Sequence, residues 1–332
     1  MKDVIEYQDE LTKDQYKVFS ALLDKLGIRF SEKANAIYGK RDFIAMLLRM
    51  AANKTFAPTA AEALHLDLRE TADDPKSVRS PSDDWFLGKL RELSPDEVEK
   101  WCSHDMEKMC AVAKKMGMIK LGGTIALDST NIPHYGKYLK DQTIKSKPKN
   151  GTARFFSYMV AHTTDQMGDM AVGCMRITKD NNMPSITHKM LKKLDRAGAR
   201  PGLVLADRGF YSVDWINTMK RDCRKFVMPA VKNPRVKKAI REYYKGKRDA
   251  ASKFTMRNKD GAQAEFKLLI VEKDGEEKPD DIIDRYVAFA TNMPCLTKEE
   301  LIEELPETYR NRWIVETGFR VKIGRASCRE RV

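Results

Sequence analysis

Paired cysteines, clustered histidines and long apolar runs are what this 332-residue sequence lacks. Its six cysteines form no C-x-x-C pair, and its five histidines never fall at H-x-E or H-x-x-x-H spacing. That argues against a disulfide framework and against a zinc site. No G-x-x-x-x-G-K-[ST] occurs, so no ATP-driven motor is encoded. No stretch approaches the roughly eighteen apolar residues of a membrane span, and the opening MKDVIEYQDELTKDQ is too polar and acidic for a secretory signal. A secreted scaffold, a membrane protein and a structural zinc module are the classes these absences exclude.

What the sequence does have is charge. Charged residues make up 33% and hydrophobic ones 42%, an ordinary globular composition, and the length suggests roughly two domains. The net charge is +13 and the isoelectric point about 9.3, which points to a polyanionic partner. The excess is uneven. Residues 1–100 hold sixteen Lys/Arg against nineteen Asp/Glu, so all of it lies downstream. Residues 220–253 hold thirteen basic and three acidic side chains, with Lys237 and Lys238 as candidate phosphate contacts. A second basic run is KYLKDQTIKSKPKNGTAR at 137–154. Neither run carries the apolar stripe of a membrane-surface helix, so a phosphate backbone is the expected partner.

Periodicity divides the chain. Apolar residues three and four apart predict helices at 16–28, 41–54, 59–68 and 85–93. Ser94-Pro95-Asp96-Glu97 opens a further helix, with Ser as N-cap and Pro at N1. The pieces around 59–66 and Trp85 fit either a helix-turn-helix or a plain helical bundle. After Gly122-Gly123 the texture becomes α/β. Strands are expected at 124–128, 154–164, 168–178, 201–207 and 225–231, and helices at 184–198 and 212–223, the latter capped by Ser212. The 154–164 and 168–178 strands meet at a tight Asp165–Gly168 turn. Residues 234–284 read as an insertion with one clear strand at 264–272, followed by a strand at 284–292 and a helix through 296–322.

Three acidic residues carry the candidate chemistry. Asp128 ends the strand TIALD, and Asp207 ends GLVLAD. In open α/β sheets, ligands bind beyond the carboxyl ends of strands, so both project toward the expected crevice. The competing role for each is a loop aspartate capping the next turn. Glu316 lies in YRNRWIVETGF, where Tyr309, Arg312 and Glu316 at i, i+3 and i+7 share one helix face. Three carboxylates about 5 Å apart repel by roughly 3 kcal/mol per pair at an effective dielectric of 20. Hard divalent cations remove that penalty, and an all-oxygen ligand set suits Mg²⁺ or Mn²⁺. Two such ions support in-line phosphoryl displacement on nucleic acid.

LDSTNIPHYG, then LADRGFYS, then a TN-ended strand followed by Y-x-x-R-x-x-x-E, together resemble the DDE transposases of prokaryotic insertion sequences, specifically the Y-R-E-K branch with archaeal-like texture. The similarity covers about 120–322 well and the first hundred residues weakly. It implies an α/β fold with a ribonuclease H-like mixed five-stranded sheet flanked by helices. An N-terminal helical domain precedes it, and a β-containing insertion comes before the last catalytic helix. By that resemblance Asp128, Asp207 and Glu316 are the catalytic and metal-binding triad for two Mg²⁺ or Mn²⁺ ions. Tyr309 and Arg312 would contact phosphate near the cleaved end, and Arg208 would contact the backbone or pair with an aspartate. Double-stranded DNA, as terminal inverted repeats and target, is the implied partner. A homodimer on DNA, no membrane, and a prokaryotic cytoplasm at the nucleoid complete the expectation.

The expected boundaries are a helical, DNA-end-binding domain at 1–118, the first part of the core at 119–233, the insertion at 234–284 and the last strand and catalytic helix at 285–322. The family places Lys seven residues after the Glu; here that position is Ile323, and Lys322 sits about 120° off the face. The final IGRASCRERV (323–332) matches, codon by codon, read-through of a short-read sequencing adapter, and is expected to be non-native. Two alternatives stand beside an active transposase: a catalytically inactive DNA-binding remnant, and a ribonuclease H-like nuclease of another substrate.

Overall fold

The computed structural model describes residues 27, 32, 35–53, 55–115, 117, 119–137, 139, 141–164, 170–273, 280–294, 309 and 312. They fall into two compact units that divide between Asp105 and Met106. The expected helix at 16–28, the Asp165–Gly168 turn and the helix through 296–322 lie outside the described residues, Tyr309 and Arg312 excepted.

In the first unit, α1 (Lys40–Asn53), α2 (Ala57–Thr71) and α3 (Asp83–Glu92) close on Phe43, Met46, Ala57, Ala60, Leu64 and Phe86. Ser82 caps α3 by accepting the Trp85 N–H at 3.2 Å, and acids open the helix while Lys89 and Arg91 end it, matching the macrodipole. Residues 72–82 separate α2 from α3, far more than the three or four of a helix-turn-helix, so this pair is a plain helical packing. Next comes α4 (Pro95–Lys115), which opens with a reciprocal capping box. The Ser94 hydroxyl accepts the Glu97 N–H, and the Glu97 carboxylate accepts the Ser94 N–H, both at 3.2 Å. These hydrogen bonds hold the Glu97 carboxyl below its usual pKa.

The second unit is built on one nine-stranded sheet. Its centre consists of β1 (Thr124–Pro133), β3 (Thr152–Thr163), β4 (Ala171–Ile177), β5 (Leu203–Ala206) and β6 (Lys225–Pro229). They lie side by side as β4-β3-β1-β5-β6; β1, β5 and β6 are parallel neighbours, and β3 and β4 run antiparallel. This is the ribonuclease H-like arrangement that the resemblance implies. The sheet is wider than five strands, however. β2 (Ile144–Lys149) pairs with the start of β3, while β9 (Tyr286–Thr291), β8 (Gln263–Glu272) and β7 (Ala251–Arg257) continue antiparallel beyond β6. The 234–284 segment is thus built into the sheet: β7 and β8 form its far edge, and α7 (Pro234–Tyr244) packs on its face.

The central strands are apolar on both sides because both faces are covered. On one face Ile125, Leu127, Met159, Val204, Ala206, Phe226 and Met228 pack against α4, α5 (Met183–Arg196), α6 (Val213–Arg221), α7 and the short α8 (Ile282–Arg285). Trp215 is fully buried there, its indole N–H donating to the Thr187 hydroxyl at 3.0 Å. The alternate residues Ala126, Leu205, Val227, Leu269 and Phe289 form the opposite layer. Among the described residues no helix is long and apolar enough to cross a membrane.

The entry to β1 and β5 is clasped backbone to backbone. The Gly202 N–H donates to the Gly123 carbonyl at 2.9 Å, and a Cβ on Gly202 would lie 2.2 Å from the Gly122 carbonyl oxygen. Gly122 itself has φ +79°, a conformation that favours glycine. This contact holds the two strands level.

Candidate functional site

β5 ends at Ala206, but β1 continues to Pro133 along β3, so Asp128 lies within its strand and does not end it as the apolar run TIALD suggested. Leu127 is the register partner of Ala206, so the next step brings Asp128 beside Asp207 on strands about 4.8 Å apart. Alternation puts both on the face of Ala126 and Leu205, away from α5, α6 and α7. Asp128 is held locally, its Oδ1 accepting the Ser129 N–H at 2.8 Å. Asp207 caps the 3-10 turn Arg208–Phe210, accepting the Arg208 N–H, and Phe210 pins that turn by stacking edge-on to Trp215 at 5.7 Å. The capping role and the strand-end position therefore belong to the same residue: the cap fixes one carboxylate oxygen.

Tyr309 and Arg312 reach this same face. Tyr309 packs on the apolar layer with its ring 5.2 Å from Phe289, and the Arg312 guanidinium lies 5.3 Å over the Tyr309 ring. The Arg312 N–H donates to the Tyr309 carbonyl at 3.0 Å. Arg312 is 5% exposed and its Nη1 is 4.0 Å from Asp128 Oδ2. At that separation and an effective dielectric of 20 the attraction is about 4 kcal/mol, comparable to the repulsion between two neighbouring carboxylates. One side of the carboxylate pair thus has a cation built in, held by an aromatic ring instead of by solvent.

The other expected site residues divide clearly. Arg208 is exposed and contributes its backbone N–H to Asp207, with no side-chain ion pair among the described residues. Lys237 and Lys238 are not brought to the carboxylates. They stand on the exposed side of α7, whose Val236, Ala239 and Ile240 join the opposite core layer, and Lys238 lies 3.8 Å from Glu242. Glu316, Lys322 and Ile323 lie outside the described residues. His134 is a turn residue, its Nε2 2.8 Å from the Lys137 carbonyl, and Tyr243 packs edge-on to Tyr286 at 5.6 Å.

Among the described residues no three His, Cys, Asp or Glu side chains gather as a metal cluster. Asp128 and Asp207 supply two oxygen-donor side chains in adjacent register, which fits a hard divalent cation and not zinc or copper. Among the described residues sequence patterning missed two strands, β7 and β2, IKSKPK. β2 has no apolar alternation; its signal was the basic run, and lysine with proline is how an exposed edge strand is protected.

The chain belongs to the DDE transposase family: the family model for the transposase DDE domain matches residues 120–331. Members of this family typically use divalent metal ions. No curated protein matches the chain. Among solved structures it is similar to piggyBac transposase in a synaptic complex with hairpin DNA, at 11% identity and a TM-score of 0.45 over 90% of this chain. The chain spans 63% of the length of that protein. It is also similar to the catalytic domain of human endonuclease V, at 9% identity and a TM-score of 0.27, covering 64% of this chain and 96% of that one. The Mos1 mariner paired-end complex with Mn matches at 14% identity and a TM-score of 0.20, over 65% of this chain and 66% of that one.

Proposed function

We propose that this member of the DDE transposase family is a metal-dependent polynucleotidyl transferase that cleaves DNA at terminal inverted repeats and joins the freed ends to target DNA. The observation that carries this is the parallel register of Leu127 with Ala206, the residues just before Asp128 and Asp207, together with the approach of Arg312 to Asp128. Asp128 and Asp207, with Glu316 as third ligand, would hold two Mg²⁺ or Mn²⁺ ions. When bound, these supply charge neutralisation for the carboxylates and activation of a water or hydroxyl toward phosphorus.

The protein's own groups position the reaction. Arg312 offers a planar donor fork to a non-bridging phosphate oxygen, its stem fixed by Tyr309, so little freedom is lost on binding. The Asp207 cap keeps one of its oxygens occupied and the carboxylate plane fixed. Arg208, exposed beside it, would contact a neighbouring phosphate. In cleavage, water oxygen bonds to phosphorus as the P–O3′ bond breaks, and the leaving oxygen takes a proton to become a 3′-hydroxyl. In joining, that 3′-hydroxyl attacks a target phosphodiester and releases a target 3′-hydroxyl. A homodimer bridging two element ends, acting at the prokaryotic nucleoid, belongs to the same proposal, as does end binding by residues 1–118.

The test is nicking of duplex DNA carrying the element ends, with Mg²⁺, Mn²⁺ or EDTA. Asp128→Asn, Asp207→Asn and Glu316→Gln should each abolish nicking while leaving salt-dependent DNA binding in place. Binding without nicking by the unaltered chain would identify an inactive remnant. Nicking indifferent to the end sequence would identify a nuclease of another substrate.

A further inference from the structure

The two basic runs behave differently once folded. Around α7 the charges are largely engaged within the protein. Arg248 pairs with Glu242 at 3.1 Å, Lys232 with Asp284 at 3.2 Å, and Arg235 and Arg248 both lie over the Phe254 ring. In β2, by contrast, Lys145, Lys147 and Lys149 make no ion pair among the described residues, and every residue after Ile144 is exposed.

These lysines border a groove of about 380 Å³ lined by Ser129, Thr130, Asn131, Ser146, Lys147 and Lys149, with Pro148 and Phe155 as its apolar part. The strand order β2-β3-β1 explains it: β3 supplies Phe155 between the raised ends of β1 and β2. Among the described residues no carboxylate lines the groove. The Asn131 carboxamide oxygen already accepts the Ser157 hydroxyl, which leaves its NH₂ as donor. Three hydroxyls, an amide NH₂ and two ammonium groups make a lining rich in donors and without a fixed negative charge. That is the chemistry of a phosphodiester, which offers only acceptor oxygens and one negative charge. A carboxylate offers similar acceptors, and the assignment of the chain to DNA chemistry is what selects the phosphodiester.

We propose that this β1–β2 groove is a backbone-binding subsite for double-stranded DNA, contacting phosphate through Lys147 and Lys149 without reading sequence. The proposal rests on the assignment of the chain to DNA chemistry above and adds where the duplex is held. The groove begins at Ser129, the residue directly after Asp128 along β1.

The experiment is duplex binding by the full chain in EDTA, titrated with salt, for the unaltered protein, Lys147→Gln/Lys149→Gln, and a charge-matched Lys189→Gln/Lys192→Gln on α5. Each phosphate contact contributes about 0.9 to the slope of log K against log salt. The β2 double variant should lower that slope by about 2 on every sequence tested, with the α5 variant matching the unaltered chain. An unchanged slope in the β2 variant, with the unaltered chain binding DNA and nicking it, overturns the groove and leaves the transposase assignment standing. An equal fall in both variants overturns it too, because net charge alone would then explain the effect. A flat salt response in the unaltered chain would overturn the assignment and the groove together.

Discussion

The two faces of the catalytic sheet are made from the same strands and do opposite work. On the helix-covered face, Leu127, Ala206 and Phe226 are 0% exposed and meet Trp215, Met190 and Ile240 from three helices. On the other, the apolar layer of Ala126, Leu205, Val227 and Phe289 ends where Asp128 and Asp207 begin. A one-residue step along a strand moves a side chain from the core that supplies stability to the face that bears charge. The lesson is that stability and reactivity separate by parity here, so substitutions one position apart should fail in different ways.

The largest contrast is Asp207→Asn against Phe226→Ala. The first should cost three or more orders of magnitude in metal-dependent nicking and shift the thermal midpoint little. The second should cost about 3–5 kcal/mol of stability in chemical denaturation through the cavity it leaves. Nicking per folded molecule should stay near normal in that variant. Equal loss of fold in both variants would break the division between the faces. Next is Gly202→Ala, which drives a methyl into the Gly122 carbonyl and should cost about 1–3 kcal/mol. Because that contact levels β1 with β5, nicking should fall further than the unfolded fraction explains; loss matching only the unfolded fraction would remove its part in aligning the carboxylates.

Smaller effects sharpen the helix-covered side. The Tyr211 hydroxyl is buried with no hydrogen-bond partner, and burial pushes its pKa to about 12, slightly offset by Arg235. Tyr211→Phe should therefore raise stability by up to about 1 kcal/mol, measured by urea denaturation, and a loss would mean that the hydroxyl is satisfied. At the rim of the same side, burial raises the Asp222 pKa, but hydrogen bonds from His188 and Arg221 outweigh it and hold the group below its usual value. A folded pKa below the unfolded one of about 3.9 contributes stability above that pH. The contribution is lost as pH falls through the folded value. Since Arg221 is 63% exposed, Asp222→Asn should cost only a few tenths to about 1 kcal/mol at neutral pH. Its stability curve should converge with the parent's in acid; a gap that persisted there would point to packing.

Much of the second unit was legible in the sequence, and the reasons are local. The strands at β1, β3, β5, β6 and β9 show as apolar runs; Ser94 and Ser212 mark helix starts through hydrogen bonds to N–H groups three residues on, and Pro184 through its fixed φ. β8 showed clearly, whereas β7 and helix α7 were not read from the sequence. Val236, Ala239, Ile240 and Tyr243 do keep helical spacing, but lysine and arginine at the intervening positions obscure it. ASKFTMR has weak alternation, because β7 is an edge strand with one neighbour.

For the candidate site, Asp128 and Asp207 stood out as strand-ending acids, and their approach required only that β1 and β5 be neighbours. Arg312 was named by resemblance, since nothing in YRNRW says which carboxylate it approaches. Lys237 and Lys238 were drawn from a dense basic run, and charge density along a chain carries no information about the face of a sheet.

By itself, then, the sequence determined most strands of the sheet's centre, several helix caps, and which two acids follow the apolar runs of β1 and β5. Those outcomes depend on contacts within a few residues. The tertiary structure alone decided that Leu127 stands level with Ala206, that Arg312 meets Asp128, and that α7 turns its lysines away from both. It also decided that, among the described residues, the lysines of β2 stay free of carboxylates beside a groove. These depend on strand order and register, which arise from packing among residues distant in the chain, with the backbone contact of Gly202 on Gly122 as the clearest instance.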